Sequence, residues 1–197
     1  MEKLYIIEGT SNSGKTTTAY NLKQVKDLCI FPEFMEHPLA PSPSKNIEQE
    51  LENQKKFYQI EKERMIYAKK LLLNDHIVFF DRSYLSILAV SYAFEKLNRY
   101  KAYDNALNLY NLMIKEDWFI KPEEVFILTA SHKDKIERNY SRKKELKENW
   151  IKEKFEYYQN EFYDIIELQS RKRIIDTSGK SKDYASRLII KELKMER

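Results

Sequence analysis

Cysteine, glycine and long apolar segments are scarce in this sequence of 197 residues. Its single cysteine, Cys29, excludes an internal disulfide and favours a reducing compartment. No apolar run approaches the roughly 20 residues of a membrane-spanning helix. The first residues also lack the apolar stretch of a signal peptide. We therefore expect a soluble, cytoplasmic protein with no membrane partner.

The sequence also lacks a large excess of charge of either sign. Its 35 lysines and arginines nearly balance 31 aspartates and glutamates, which leaves a formal net charge of +4. A balance this close gives no overall electrostatic footprint for nucleic acid. We expect no nucleic-acid partner.

What the sequence does contain is an alternation of short apolar segments with helical periodicity. The predicted strands are Lys3–Glu8, Leu28–Phe31, Ile77–Phe80, Val125–Leu128 and Arg173–Asp176. The predicted helices are Lys15–Lys26, Ile47–Leu72, Ser83–Leu97, Tyr103–Lys115, His132–Gln169 and Lys182–Leu193. Four of the five prolines lie in Pro32–Ser44, which is predicted to be a loop. The alternation predicts one α/β domain over residues 1–197, a five-stranded parallel sheet with helices on both faces.

The first predicted strand leads directly into a phosphate-binding motif. The segment from Gly9 to Thr16 reads Gly-Thr-Ser-Asn-Ser-Gly-Lys-Thr and opens the first predicted helix. Such a turn aims backbone N–H groups and the positive end of the helix dipole at a phosphate. Lys15 is expected to reach the β- and γ-phosphates, and the Thr16 hydroxyl to ligate Mg²⁺. The residues expected to bind the nucleotide are Gly9, Ser11, Asn12, Ser13, Gly14, Lys15, Thr16 and Thr17.

Asp81 follows the third predicted strand, where it would lie beside the phosphate loop. A carboxylate there can hold Mg²⁺. Helix capping is the competing interpretation, although Ser83 is the better candidate for the cap. A GTPase would need a glycine after this acidic residue and a base-reading Asn-Lys-x-Asp. Asp81-Arg82-Ser83-Tyr84 lacks the glycine, and Ser131-His132-Lys133-Asp134 lacks the spacing. The sequence therefore favours a small kinase that uses ATP and Mg²⁺.

These motifs resemble those of the thymidylate kinase and deoxynucleoside kinase group of P-loop kinases, over nearly the whole chain. Asp81 to Ala89 is similar to the thymidylate kinase pattern Asp-Arg-x-x-x-Ser-x-x-Ala, and Asp81-Arg82-Ser83 also resembles the acidic-Arg-Ser motif of deoxynucleoside kinases. Glu8-Gly9 resembles the start of both, residues 122–144 their strand and lid, and residues 175–178 their adenine-side loop. The resemblance implies a three-layer P-loop kinase fold with a helical lid at about 132–150. It also implies a nucleoside or nucleoside monophosphate as acceptor.

The loop after the second strand departs from both patterns. Thymidylate kinases usually carry Asp at the position of Ser11 and Arg-Glu-Pro-Gly after that strand, whereas this chain has Phe31-Pro32-Glu33-Phe34. Deoxynucleoside kinases usually have Glu-Pro there, and Glu33 is not followed by proline. The acceptor therefore stays open between a nucleoside and its monophosphate.

The resemblance also implies roles for individual residues. Arg82 is expected to clamp the transferring group or the acceptor, and Glu33 is the candidate base for an acceptor hydroxyl, with a plain loop carboxylate as the alternative. Phe34 either stacks on a base or belongs to the core. The resemblance further implies a homodimer formed through the helices that flank the third strand.

Three further arginines have more than one interpretation each. Arg138 and Arg142 lie four residues apart, so they are either lid arginines that close over the phosphates or part of a solvated basic face. A nucleic-acid patch is the third interpretation, and the lack of interleaved aromatic residues argues against it. Arg64 lies in register with apolar residues of the long helix. It lines the acceptor pocket, pairs with the nearby Gln54 or Glu61, or lies at a helix–helix interface.

Two other classes of function remain compatible with the sequence. One is a P-loop kinase whose acceptor is a small molecule other than a nucleoside. The other is a nucleotide-binding regulatory protein without transfer activity, which the joint presence of Lys15, Thr16, Asp81 and Arg82 argues against.

Overall fold

Strands and helices alternate along the chain in the computed structural model, which describes residues 3–141 and 152–194. The strands are β1 (Leu4–Glu8), β2 (Leu28–Phe31), β3 (Ile77–Asp81), β4 (Glu124–Thr129) and β5 (Arg171–Asp176). The helices are α1 (Lys15–Leu22), α2 (Ile47–Leu72), α3 (Tyr84–Lys96), α4 (Tyr103–Met113), α5 (His132–Tyr140), α6 (Glu153–Ile165) and α7 (Tyr184–Glu192). A short 3-10 helix occupies Phe34–Glu36 inside the proline-rich loop.

The five strands form one parallel sheet in the order β2-β3-β1-β4-β5. This confirms the predicted five-stranded parallel sheet. The pairing places Ile7 opposite Asp81 and Thr129 opposite Asp176. The carboxyl ends of neighbouring strands therefore meet at one edge, where parallel α/β sheets bind their ligands.

Both faces of the sheet are covered, which explains why its strands read as continuous apolar runs. Successive residues of β1 point to opposite faces, as the period of a strand requires. Leu4 and Ile6 belong to a core that includes residues of α2, α3, α4 and α6. Tyr5 and Ile7 belong to a second core with α1 and α7. The prediction of helices on both faces is confirmed.

Most helix boundaries lie within two residues of the expected ones, and the two larger differences are in α1 and in the region after β4. Helix α1 ends at Leu22 instead of Lys26, because the N–H groups of Gln24 and Val25 bond three residues back. Asp27 then adopts a positive φ of 59°, just before β2 begins. The helical region expected over His132–Gln169 contains α5 and α6, and residues 142–150 of the expected lid lie outside the described residues. Within the described parts, no helix combines the length and apolarity needed to cross a bilayer.

Candidate active site at the carboxyl edge of the sheet

The loop between β1 and α1 has the backbone conformation of a phosphate cradle. Gly9, Asn12 and Gly14 have positive φ angles of 131°, 59° and 100°. A Cβ on Gly9 would lie only 2.1 Å from the carbonyl oxygen of Leu128, so glycine is needed where the loop passes β4. Gly14 directly precedes α1, whose N-terminus therefore opens towards the loop.

Lys15 is buried beneath this loop with its ammonium group turned inwards. Its Nζ donates a hydrogen bond of 2.7 Å to the carbonyl oxygen of Thr10, and the residue is 5% exposed. Burial, together with the positive charge of Arg82, lowers the pKa of Lys15 to about 7, although nearby carboxylates including Asp81 act in the opposite direction. The ammonium group of Lys15 could therefore give up its hydrogen bond to the Thr10 carbonyl and bind a phosphate oxygen instead.

Other polar groups of the loop differ in their surroundings. Ser13 and Thr10 are buried, and within the described chain neither hydroxyl oxygen has a hydrogen-bond partner. Asn12 reaches α5, because its amide donates to the carbonyl oxygen of Lys135 and to the side chain of Asn139. Ser11 is half-buried, and Thr16 and Thr17 are exposed on the first turn of α1. Unpaired buried hydroxyls indicate a surface that is completed by a ligand.

Asp81 lies at the end of β3 next to β1 and is 3% exposed. Its Oδ1 has no hydrogen-bond partner within the described residues. Burial raises the pKa of Asp81 above its usual value, against the opposing effects of Lys15 and Arg82. Ser83 is the N-cap of α3, since its side chain accepts from the N–H of Leu85, so Asp81 is not needed for that role.

The described residues contain no cluster of three or more acidic, histidine or cysteine side chains able to hold a metal by themselves. Mg²⁺ needs no such cluster, because it keeps several waters and takes one or two protein oxygens plus substrate phosphates. The unpaired carboxylate oxygen of Asp81 and the exposed hydroxyl of Thr16 are oxygen donors of that kind. The residues present therefore fit a magnesium ion bound together with a nucleotide.

Arg82 and Glu33 form an ion pair across the same edge, with 2.8 Å between Arg82 Nε and Glu33 Oε2. Arg82 Nη1 also donates to Ser86 Oγ at 3.1 Å and to the carbonyl oxygen of Gly9 at 3.4 Å. Burial disfavours the charged guanidinium, but Glu33 and other acidic neighbours outweigh it and raise the pKa of Arg82. Arg82, which is expected to clamp the transferring group, and Glu33, the candidate base, therefore contact each other beside the phosphate loop.

Arg64 and Phe34 are both buried and contact each other. Arg64 is 5% exposed, pairs with Glu61 at 2.9 Å and donates to the carbonyl oxygen of Arg82 at 3.0 Å. Its guanidinium lies 4.7 Å from the ring of Phe34, which is itself 3% exposed and packs edge-on against Phe57. The contacts favour the pairing interpretation for Arg64 and the core interpretation for Phe34, and their roles towards an acceptor stay predictions.

Arg138 connects two loops that are far apart in sequence. Its Nη1 donates to the carbonyl oxygen of Asn12 at 3.0 Å, and its Nη2 to that of Thr177 at 2.7 Å. Thr177 in turn donates through its hydroxyl to carbonyl oxygens of Ser13 and Thr129. Arg138 thus holds the loop after β5 against the phosphate loop, while Arg142 lies outside the described residues.

Sequence reasoning gave no role to Glu8, the last residue of β1, which is fully buried and accepts hydrogen bonds from α3 and α6. It noted Thr177 only as part of a resembling loop. The available signal for Glu8 was a carboxylate ending an otherwise apolar strand, since buried charges need several partners. No local pattern indicates which partners a strand-end carboxylate will find.

The fold and this edge of the sheet define a P-loop domain with the α/β architecture of the P-loop kinases. A protein-family model described as AAA domain (AAA_28) matches residues 4–171, and the chain belongs to that family. A search of curated proteins gives no significant match.

Solved structures with a similar fold include thymidylate kinase from Candida albicans. That structure has a TM-score of 0.66 and 20% sequence identity, and the match covers 98% of this chain and 92% of the other. Deoxyadenosine kinase from M. mycoides, solved with bound dCTP, has a TM-score of 0.63 and 21% identity, with 97% and 98% of the two chains covered. The same enzyme with bound dATP has a TM-score of 0.63 and 22% identity, covering 97% and 99%.

Proposed function

We propose that this protein transfers a phosphoryl group from ATP to a nucleoside or nucleoside monophosphate. The observation that carries the proposal is that Lys15, Asp81 and the Arg82–Glu33 pair converge on the phosphate loop from β1, β2 and β3. The fold shared with thymidylate kinase and deoxyadenosine kinase supports this acceptor class.

Phosphoryl transfer depends mainly on positioning and on charge neutralisation. In the proposed mechanism, the loop backbone and Lys15 bind the donor phosphates. Thr16 and Asp81 would hold Mg²⁺, which neutralises phosphate charge when bound. Arg82 would face the transferring group, where charge develops in the transition state. ATP is favoured over GTP because the Asn-Lys-x-Asp that reads guanine is missing after the fourth strand.

The charged residues around Arg82 favour a nucleoside over its monophosphate as the acceptor. Glu33 holds the Nε edge of Arg82, and Arg64 is bound to Glu61, so two of the nearby cations are already paired with carboxylates. A monophosphate brings further negative charge and needs cations that can turn to it. A nucleoside hydroxyl needs a proton acceptor instead, which Glu33 can supply. The Asp-x-x-x-Ser-x-x-Ala pattern remains the argument for thymidylate.

A panel assay tests the proposal directly. Purified protein with Mg-ATP is incubated with nucleosides and with nucleoside monophosphates, and ADP release is measured. We expect turnover of a pyrimidine nucleoside or its monophosphate. We also expect ATP to raise the melting temperature more than GTP does. A ligand that binds the native state stabilises it by mass action, and the motif that reads guanine is missing. A thermal shift with GTP equal to that with ATP would contradict the choice of donor.

Lys15→Ala is the matched inactive control. The loop backbone forms the turn, so we expect native circular dichroism together with a loss of on the order of 10²–10³ in rate, because one positioned cation is removed from developing charge. Full activity in this folded variant would refute the proposed site.

Two results with the wild-type protein would favour the other functional classes. Transfer from ATP to a small molecule other than a nucleoside would favour the first, and ATP binding without any transfer would favour the second.

Glu33→Gln separates the two acceptors. If Glu33 is the base, the variant loses nearly all transfer to a nucleoside while its ATP binding is retained. If the variant is unimpaired and only monophosphates are turned over, the nucleoside acceptor is wrong and the enzyme is of thymidylate kinase type.

We also propose a cytoplasmic homodimer that pairs through α2 and α3. The support is the resemblance, together with the exposure of Ile66 and Tyr67 on α2, at 40% and 58%. Light scattering at working concentration tests it, and a monomer would refute it.

A further inference from the structure

Glu8 is a fully buried carboxylate at the point where β1 enters the phosphate loop. Its Oε1 accepts from the backbone N–H and the hydroxyl of Ser83, both at 2.7 Å. Its Oε2 accepts from the hydroxyl of Ser86 at 2.6 Å and from that of Tyr163 at 3.0 Å. Four donors therefore surround one carboxylate, which matches the acceptor capacity of an ionised carboxyl group.

The directions of these hydrogen bonds follow from the groups involved. The N–H of Ser83 can only donate, and the Ser83 hydroxyl accepts from the N–H of Leu85, which leaves its proton for Glu8. Burial raises the pKa of Tyr163 well above its usual value, so its phenol keeps the proton that it donates. A glutamine at this position could offer one acceptor oxygen only, and its NH₂ group would face two donors in either orientation of the amide.

Ser86 connects this carboxylate to the candidate active site. The guanidinium of Arg82 can only donate, so Ser86 Oγ accepts a hydrogen bond from Arg82 Nη1 at 3.1 Å. The Ser86 hydroxyl then donates its own hydrogen bond to Glu8. The other strong contact of the guanidinium is with Glu33, on a loop, whose side chain is 29% exposed. Ser86 is 3% exposed on α3. The Glu8–Ser86 side of the guanidinium is thus more deeply buried than the Glu33 side.

We propose that Glu8 is a positioning residue, which acts through Ser86 to fix the guanidinium of Arg82 over the phosphate loop. The inference rests on the proposed function for its kinetic consequence, but the geometry itself can be tested without activity. Tyr163 completes the arrangement from α6, so that side chains of β1, α3 and α6 together set the position of one arginine.

The first test observes Arg82 directly in ¹⁵N-labelled protein. The guanidinium Nη–H resonances of Arg82, assigned from their loss in Arg82→Lys, should be protected from solvent exchange in the wild type, because Nη1 donates to Ser86. We expect this protection to be lost in Glu8→Gln and in Ser86→Ala. Ser86→Ala removes the connection without altering the charge at Glu8, so it serves as the test if Glu8→Gln does not fold. Unchanged protection in both folded variants, or in Ser86→Ala alone if Glu8→Gln does not fold, overturns the proposal.

The second test measures kinetics against a matched control. Glu124 is also a buried strand carboxylate, 2% exposed, but it lies at the opposite end of the sheet and pairs with Arg173 at 2.8 Å. We expect Glu8→Gln to lower kcat on the order of 10²-fold with little change in the KM for ATP, since small misplacements of a positioned group cost about this much. Glu124→Gln should leave the kcat of the folded protein unchanged.

The effect should also depend on Arg82. In an Arg82→Ala background, Glu8→Gln should cause no further loss of kcat, whereas a general structural role would give the same loss in both backgrounds. Equal losses would overturn the proposal. A wild type that transfers no phosphoryl group would refute the proposed function instead, and the protection of the Arg82 Nη–H groups would then decide the positioning role alone.

Discussion

Replacing Gly9 with alanine should destabilise the protein much more than the small size of the change suggests. The φ of +131° lies in a region open almost only to glycine, which costs about 1–3 kcal/mol for another residue. The new Cβ would also lie 2.1 Å from Leu128 O, a backbone atom of β4 that cannot move without disturbing the sheet. Overpacking of this kind costs a further ~1–3 kcal/mol. We expect a total loss of about 4 kcal/mol.

Gly179→Ala provides the matched control, because Gly179 also has a positive φ, of +60°, but an added Cβ would meet nothing within 4 Å. Its expected cost is about 1–2 kcal/mol, from the left-handed conformation alone. The assay is urea denaturation followed by circular dichroism, with the free energy of unfolding extrapolated to water. Equal losses for the two variants would show that Gly9 is not constrained by its approach to β4.

Three further predictions concern buried charges and loop contacts. Lys15→Met should raise the free energy of unfolding near pH 7. Its advantage should shrink between about pH 7 and pH 10, because unfolded wild type keeps the Lys15 proton that the folded protein has lost, so wild-type stability rises with pH. Arg64→Met should cost about 3–5 kcal/mol in urea denaturation by leaving Glu61 buried and unpaired, and Glu61→Gln added to it should recover part of that loss. Arg138→Lys should weaken ATP binding in calorimetry, since lysine cannot bridge Asn12 and Thr177 with two nitrogens.

The sequence alone determined the features that depend on neighbouring residues. The phosphate loop could be predicted because its two glycines, lysine and threonine are contiguous and lie between a strand and a helix. The same is true of Asp81 at the end of β3 and of Ser83 as the cap of α3. Local backbone preferences and hydrophobic periodicity fix such features within a few residues, and alternation of strands with helices then implies a parallel sheet.

Only the tertiary structure decided which distant side chains meet. The strand order β2-β3-β1-β4-β5 brings Glu33 to Arg82, and the packing of α3 and α6 on the sheet brings Ser86 and Tyr163 to Glu8. Glu61 lies only three residues from Arg64 on α2, so that ion pair is local, but the packing of α2 on the sheet is what buries Arg64 and brings it to the carbonyl oxygen of Arg82. Such contacts depend on how whole elements pack, because a buried charge takes whichever partners the assembled core presents, and no local pattern encodes that choice.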